Sequence, residues 1–255
     1  MIHITKEELT ERLKKQSPAK IASDFGCHVA TIHLKMKRFG ITRSRHAHLI
    51  NESFFSEWGY DMAYILGFTL ADGSVNQTLH HNQLQFQIQA KDIEILNFIR
   101  SCIQPSSSIF QYSRINISGS QSNIAHVVFS SKKILENLAS YGCVPNKTYI
   151  ELRLPNIPSK FLGDFVRGVF DGDGCITRTR DGKKTSANIS CNSSKFLEDV
   201  RDIIGFGYVS YNDKPPRLVF SSRSDMKKFY DLIYGNDLGF RLMRKYNKFK
   251  EIIDG

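Results

Sequence analysis

YILGFTLADGSV (residues 64–75) and FVRGVFDGDGCI (residues 165–176) are two versions of one segment: an apolar run with small residues four apart, closed by Asp-Gly. Further matches follow in the same order. AHVVFSSKKILENL (residues 125–138) answers to RLVFSSRSDMKKFYDL (residues 217–232), and the Lys147-Thr-Tyr segment answers to Lys245-Tyr. Self-similarity of this kind marks a tandem duplication and is weighed before any other fold signal.

Within each copy the apolar period switches between 3.6 and 2, which predicts helix, two strands, helix, two strands, helix. In the first copy Gln83, Gln85, Gln87 and Gln89 alternate with Leu84, Phe86 and Ile88, so one strand face is amide and the other apolar. A helix is expected over about Ile93 to Ile103, strands near residues 114–118 and 124–129, and a helix over about 132–141. In the second copy Arg178 and Arg180 lead into an Asp181-Gly182 turn, after which Ser186, Asn188 and Ser190 alternate with Ala187, Ile189 and Cys191. The expected fold class is α+β, with two pseudo-symmetric αββαββα repeats forming antiparallel sheets and a small all-α N-terminal domain.

Gly67 with Ala71, and Gly168 with Gly172, let two helix backbones approach closely. Packed side by side, the two helices would bring Asp72 and Asp173 together at one end of their interface. Two neighbouring carboxylates repel unless a cation or a proton intervenes. Hard oxygen ligands near phosphate suit Mg²⁺ or another divalent cation, which can activate water and stabilise a leaving oxygen.

With these residues in view, ILGFTLADG and VRGVFDGDG resemble the two motifs of a single-chain LAGLIDADG homing endonuclease, and the resemblance extends over about residues 54 to 250. It implies a monomer with motif helices at its centre, paired saddle-shaped sheets in the DNA major groove, and site-specific cleavage of both strands of double-stranded DNA. It also implies that the last acid of each motif, Asp72 and Asp173, binds divalent metal. Lys147 and Lys245 match the basic residues that the family places beside the scissile phosphates. The sequence departs from the pattern at Leu70, which stands where the second motif has Asp171; in the family this earlier acid is not the metal ligand, so activity is expected to survive, with the two halves cutting their strands unequally.

On the sheets, Gln can pair with adenine and Arg with guanine. The expected readers are Gln85, Gln87, Gln89, Arg114, Asn116, Arg178, Arg180 and Asn188. A merely solvated strand face shows the same alternation, so the set carries the argument and no single member does.

Upstream lies a different kind of segment. Residues 1–50 hold ten Lys or Arg against four acids, while the remaining residues hold 25 against 21, and the whole chain carries a formal charge of +10. Such an excess suits a polyanion partner. Thr5 can cap a helix over residues 5–15, with Glu8 completing a capping box. Pro18 can open a second helix and Gly26 a tight turn, and Val29, Ile32, Met36 and Phe39 form an apolar stripe on a third. The spacing of Ala22, Gly26 and Ile32 resembles the helix-turn-helix family, which would aim Thr31, His33, Lys35, Lys37 and Arg38 at the major groove. The expected division is a DNA-binding module at 1–45, a linker at 46–59, a first repeat at 60–154 and a second at 155–255.

Several classes are set aside. The five cysteines are scattered with no C-x-x-C pair, so neither a disulfide framework nor a zinc knuckle is indicated. No apolar run reaches the roughly 18 residues of a membrane span and the N-terminus lacks a signal-peptide centre, which makes a cytoplasmic location the expectation. DGDG at 171–174 is not a calcium loop, since Ile176 and Gly182 stand at the positions that need Gly and Glu. His46, His48, His80 and His81 have no metal-ligand spacing. An RNA-splicing maturase and a non-catalytic transcription regulator on the same fold are the alternatives, and the retained pair of acids weighs against both.

Overall fold

The structure, a computed structural model, describes residues 4–15, 18–41, 50–79, 81–115, 119–146, 150–179, 185–235 and 239–254. The chain separates into two units, Met1–Leu49 and Ile50–Gly255.

The first unit is three short helices: α1 (Lys6–Lys15), α2 (Pro18–Asp24) and α3 (Val29–Arg38). Thr5 Oγ1 caps α1 by accepting the Glu8 N–H at 3.1 Å, but the Glu8 carboxylate pairs with Arg12 Nε instead of closing the box. Between α2 and α3, Gly26 takes φ +60°, a conformation that suits glycine. The Cys27 N–H then returns to the Ala22 carbonyl at 2.9 Å, and His28 Nδ1 caps α3 by accepting the Ala30 N–H. Ile4, Leu9, Ile21, Ala22, Ile32 and Met36 are buried together as this unit's own core.

The second unit repeats one path twice. The first pass runs α4 (Tyr60–Asp72), β1 (Gly73–Gln77), β2 (Asn82–Gln89), α5 (Ile93–Ile103), β3 (Phe110–Ile115), β4 (Gln121–Ser130) and α6 (Lys132–Ala139). The second runs α7 (Leu162–Asp173), β5 (Gly174–Arg178), β6 (Thr185–Ser190), α8 (Ser194–Ile204), β7 (Tyr208–Ser210), β8 (Arg217–Phe220) and α9 (Arg223–Tyr234), and α10 (Met243–Asp254) follows. Each pass builds a four-stranded antiparallel sheet, in the order β1-β2-β4-β3 and β5-β6-β8-β7. The α+β class and the two pseudo-symmetric repeats expected from sequence are present.

The recurrent Phe-Ser-Ser has a structural reason in both passes. Phe129 and Phe220 are buried at the ends of β4 and β8. Ser131 then caps α6 through the Ile134 N–H, and Ser222 caps α9 through the Asp225 N–H at 2.9 Å. Helices with one apolar face cover the inner side of each sheet: α5 buries Ile95, Leu96, Ile99 and Ile103, and α8 buries Phe196, Leu197 and Val200. Among the described residues most positions on the other face of each sheet are exposed or half-buried.

Two strand bounds depart from expectation. β3 begins at Phe110, four residues ahead of the expected start, and all six of its residues are exposed. An edge strand that covers no core has no apolar alternation to reveal it. β4 is also longer, from Gln121 to Ser130. Among the described residues no helix is long and apolar enough to cross a membrane.

Candidate active site and reading surfaces

The two motif helices, α4 and α7, pack on each other through their glycines. A methyl group at Gly67 would fall on the Phe165 carbonyl oxygen and 3.0 Å from the Val169 nitrogen. One at Gly168 would fall on the Tyr64 carbonyl oxygen and 2.8 Å from the Phe68 nitrogen. Further along, Gly172 faces the methyl of Ala71. The expected interface positions Gly67, Ala71, Gly168 and Gly172 therefore meet across one seam, and backbone lies against backbone because neither Gly67 nor Gly168 carries a Cβ.

Both helices stop alike. Gly73 and Gly174 leave in extended conformations, φ −73° and −90°, and turn each chain directly into the first strand of its sheet. Asp72 and Asp173, the last helical residues, are exposed, while Leu70 and Asp171 two residues earlier are buried. A Cβ on Gly172 would stand 3.4 Å from Asp72 Oδ2, so the carboxylate of Asp72 lies over the residue that precedes Asp173. The seam thus brings the two acids to one end, at helix C-termini where carbonyl groups add partial negative charge.

Each acid opens on its own cleft. Asp72 lines one of about 390 Å³, together with Gln87, Gln89, Asp171, Arg244 and Lys245. Asp173 lines a smaller one of about 90 Å³, with Leu152, Asn192 and Ser193. Arg244 reaches from α10 to make paired 2.9 Å bonds with the two Asp92 oxygens, which ties the second repeat to the first across the larger cleft.

Lys245 is the least expected arrangement. It is 8% exposed, and its Nζ donates to the carbonyls of Phe170 (2.6 Å), Asp171 (2.9 Å) and Gly174 (2.7 Å). Its three N–H bonds cap the end of α7 around Asp173, whereas the family resemblance places them beside a phosphate. Burial pushes its pKa down, opposed by the charges of Asp171 and Asp72. Lys147 lies outside the described residues.

Asp171 is a strut inside the protein. Its Oδ2 accepts the Tyr64 hydroxyl at 2.9 Å and the Leu242 N–H at 3.1 Å, and its Oδ1 is buried with no hydrogen-bond partner among the described residues. Burial raises its pKa to about 6, against the lowering pull of Lys245, Tyr64, Leu242 and Arg167. Nearby, Arg167 is buried with its guanidinium spread over the Ile233 and Phe240 carbonyls and the Asp164 carboxylate.

The open sheet faces gather some of the expected readers and not others. Gln85, Gln87 and Gln89 share the outer face of β2 with Gln83, and Arg114 shares the outer face of β3 with Phe110 and Tyr112. Arg178 is exposed, but it follows Thr177 and so has the strand parity of buried Ile176, away from the outer face. Asn188 is on the outer face yet only 7% exposed, hemmed in on a short sheet between Cys175 and Val219. Asn116 and Arg180 lie outside the described residues. Arg217 and His126, absent from the expected readers, occupy matching places on β8 and β4; the aligned AHVVFSS and RLVFSS segments hold that signal.

In the first unit, His33, Lys37 and Arg38 are exposed on α3 beside Ala30 and Leu34. Thr31 and Lys35 are half-buried at the edge of that stripe, and the Lys35 ammonium lies 5.8 Å from the Phe39 ring centre.

Among the described residues no three His, Cys, Asp or Glu side chains converge as a ready-made metal cage. What the clefts offer a hard cation is a single exposed carboxylate at each helix end, so further oxygens would come from water and a substrate.

Residues 160–234 match the LAGLIDADG-like domain family. Two solved structures share the fold over most of the chain. The homing endonuclease I-WcaI, bound to its DNA recognition sequence, is 15% identical with a TM-score of 0.53, covering 79% of this chain and 90% of that one. The LAGLIDADG meganuclease I-AabMI, bound to uncleaved DNA, is 13% identical with a TM-score of 0.52, covering 75% and 89%. No curated protein matches the chain.

Proposed function

From a chain that carries a LAGLIDADG-like domain within the two-repeat fold of these endonucleases, we infer a site-specific double-strand DNA endonuclease that acts as a monomer. The observation that carries the reading is the meeting of Asp72 and the Gly172-Asp173 turn at one end of a glycine seam. A packing interface by itself has no use for two exposed carboxylates there, since each adds repulsion to its neighbour and to any polyanion nearby.

In this reading Asp72 and Asp173 each hold a divalent cation, Mg²⁺ or a similar ion, against one strand of DNA. The bound ion would acidify water and stabilise the departing oxygen. The chain's own part is placement. The seam fixes the spacing of the carboxylates, the extended exits at Gly73 and Gly174 align each with a sheet, and Lys245 holds the turn around Asp173 by its carbonyls. The wider surroundings of Asp72 and the narrower ones of Asp173 support unequal cutting rates on the two strands.

The same proposal includes the division into a module at 1–45, a linker at 46–59 and repeats at 60–154 and 155–255. The first module contributes a second linked DNA contact through the exposed stripe of α3. The test is Mg²⁺-dependent cleavage of a randomised double-stranded DNA library. Asp173→Asn is expected to abolish double-strand cutting, and Asp72→Asn to reduce it or leave single-strand nicks. Full activity in both variants would overturn the mechanism.

A further inference from the structure

The two sheets share one topology, so their outer faces can be compared position by position. On the first, Gln87 of β2 pairs with His126 of β4, and His126 pairs with Phe110 of β3. On the second, Ser190 of β6 pairs with Arg217 of β8, and Arg217 pairs with Ser210 of β7. One row therefore reads Gln-His-Phe and its counterpart Ser-Arg-Ser.

In the first row the outer residues dominate. Phe110 is 60% exposed and its ring centre is 5.8 Å from that of His126. Tyr112 donates its hydroxyl to Gln87 Oε1 at 3.2 Å, which fixes the amide and leaves its N–H bonds pointing away from the tyrosine. An oriented amide beside an exposed apolar ring is a complement to an A·T pair: the amide bonds adenine N6 and N7, and the ring meets the thymine methyl. In the second row the serines are short and the arginine is the longest group. The Arg217 side chain is 42% exposed; its Nε is buried, and Nη2 makes only a loose ion pair with the exposed Asp213 carboxylate at 3.7 Å. An exposed guanidinium end held by one loose, solvent-screened ion pair can exchange that partner for guanine O6 and N7.

We propose that the two halves of the target are read by different chemistry, with an A·T pair facing Gln87 and Phe110 and a G·C pair facing Arg217. The inference rests on the endonuclease reading and adds what the target must contain. Gln87 also lines the Asp72 cleft, so the A·T pair is on the side of the site served by Asp72. Tyr112 is a positioning residue that acts through Gln87.

The experiment is selection of bound sequences from a randomised double-stranded DNA library by the full chain and three variants. Wild type is expected to recover an asymmetric site. Gln87→Ala should lower the preference at one A·T pair by roughly ten-fold or more, and Arg217→Lys should do the same at one G·C pair in the other half while keeping its charge. Tyr112→Phe should weaken the preference at the Gln87 pair alone, with the salt dependence of binding unchanged. If wild type enriches no sequence, the endonuclease reading falls and this inference with it. If it enriches a site whose base preferences none of the variants shifts, or shifts only uniformly as a weakened grip on phosphate would, the half-site assignment alone is overturned.

Discussion

The Tyr64 hydroxyl on α4 donates to the Asp171 carboxylate on α7 at 2.9 Å, a buried bond across the seam that has no mirror image because Phe165 and Leu70 stand at the matching positions. The pseudo-symmetry of the motif helices is broken at this point, and the pH response of the fold should show it. Asp171 titrates in the folded protein at about 6, above its ordinary value near 3.8, because burial disfavours the charge. A raised acid pKa means that the folded state holds the proton more tightly than the unfolded state does. The penalty for charging Asp171 is thus absent below about pH 4, grows between 4 and 6, and is complete above that. Asp171→Asn should remove this decline: urea unfolding at several pH values should show a flatter stability profile between pH 4 and 6 than wild type. Parallel profiles would contradict the assignment.

Gly168→Ala tests the seam. The added methyl meets the Tyr64 carbonyl oxygen, which is backbone and cannot rotate aside. Overpacking of this kind costs about 1–3 kcal/mol or more. A denaturation midpoint within error of wild type would show that the helices part without cost.

Arg167 tests the second buried charge. Its removal in Arg167→Met leaves the Asp164 carboxylate and the Ile233 and Phe240 carbonyls without their donor. Breaking a buried pair from one side costs roughly 3–5 kcal/mol. Adding Asp164→Leu to the same variant should recover part of that loss, as a two-state unfolding series would measure.

Deletion of residues 1–45 tests the first unit. Without His33, Lys37 and Arg38 on the DNA, affinity should fall, and the slope of log K against log salt should shrink by about 0.9 for each phosphate left unneutralised. Cleavage under saturating protein should persist. Equal affinity and equal slope in the shortened chain would remove α3 from the binding surface.

Much of this architecture is legible because it is written twice. The Asp-Gly helix ends, the Phe-Ser-Ser caps and the glutamine ladder each follow from local chemistry, and duplication raises them above chance. The start of β3 is hidden because an edge strand over no core has nothing to alternate. Lys245 is hidden for another reason: a lysine in a basic, polar segment reads as a surface charge, and only tertiary structure shows it turned inward to three carbonyls. Arg178 falls on the other face by a one-residue parity, and Arg217 opens a strand of four residues, too short for alternation to mark its outer side.

The glycine seam has a bearing on how such a protein changes over generations. Because α4 and α7 touch through main-chain atoms at Gly67 and Gly168, the geometry that brings Asp72 and Asp173 together depends on few side chains. Residues on the open sheet faces can drift, one half independently of the other, without disturbing the acids. Substitutions on the surface of either half then leave the spacing of the two acids as it was inherited.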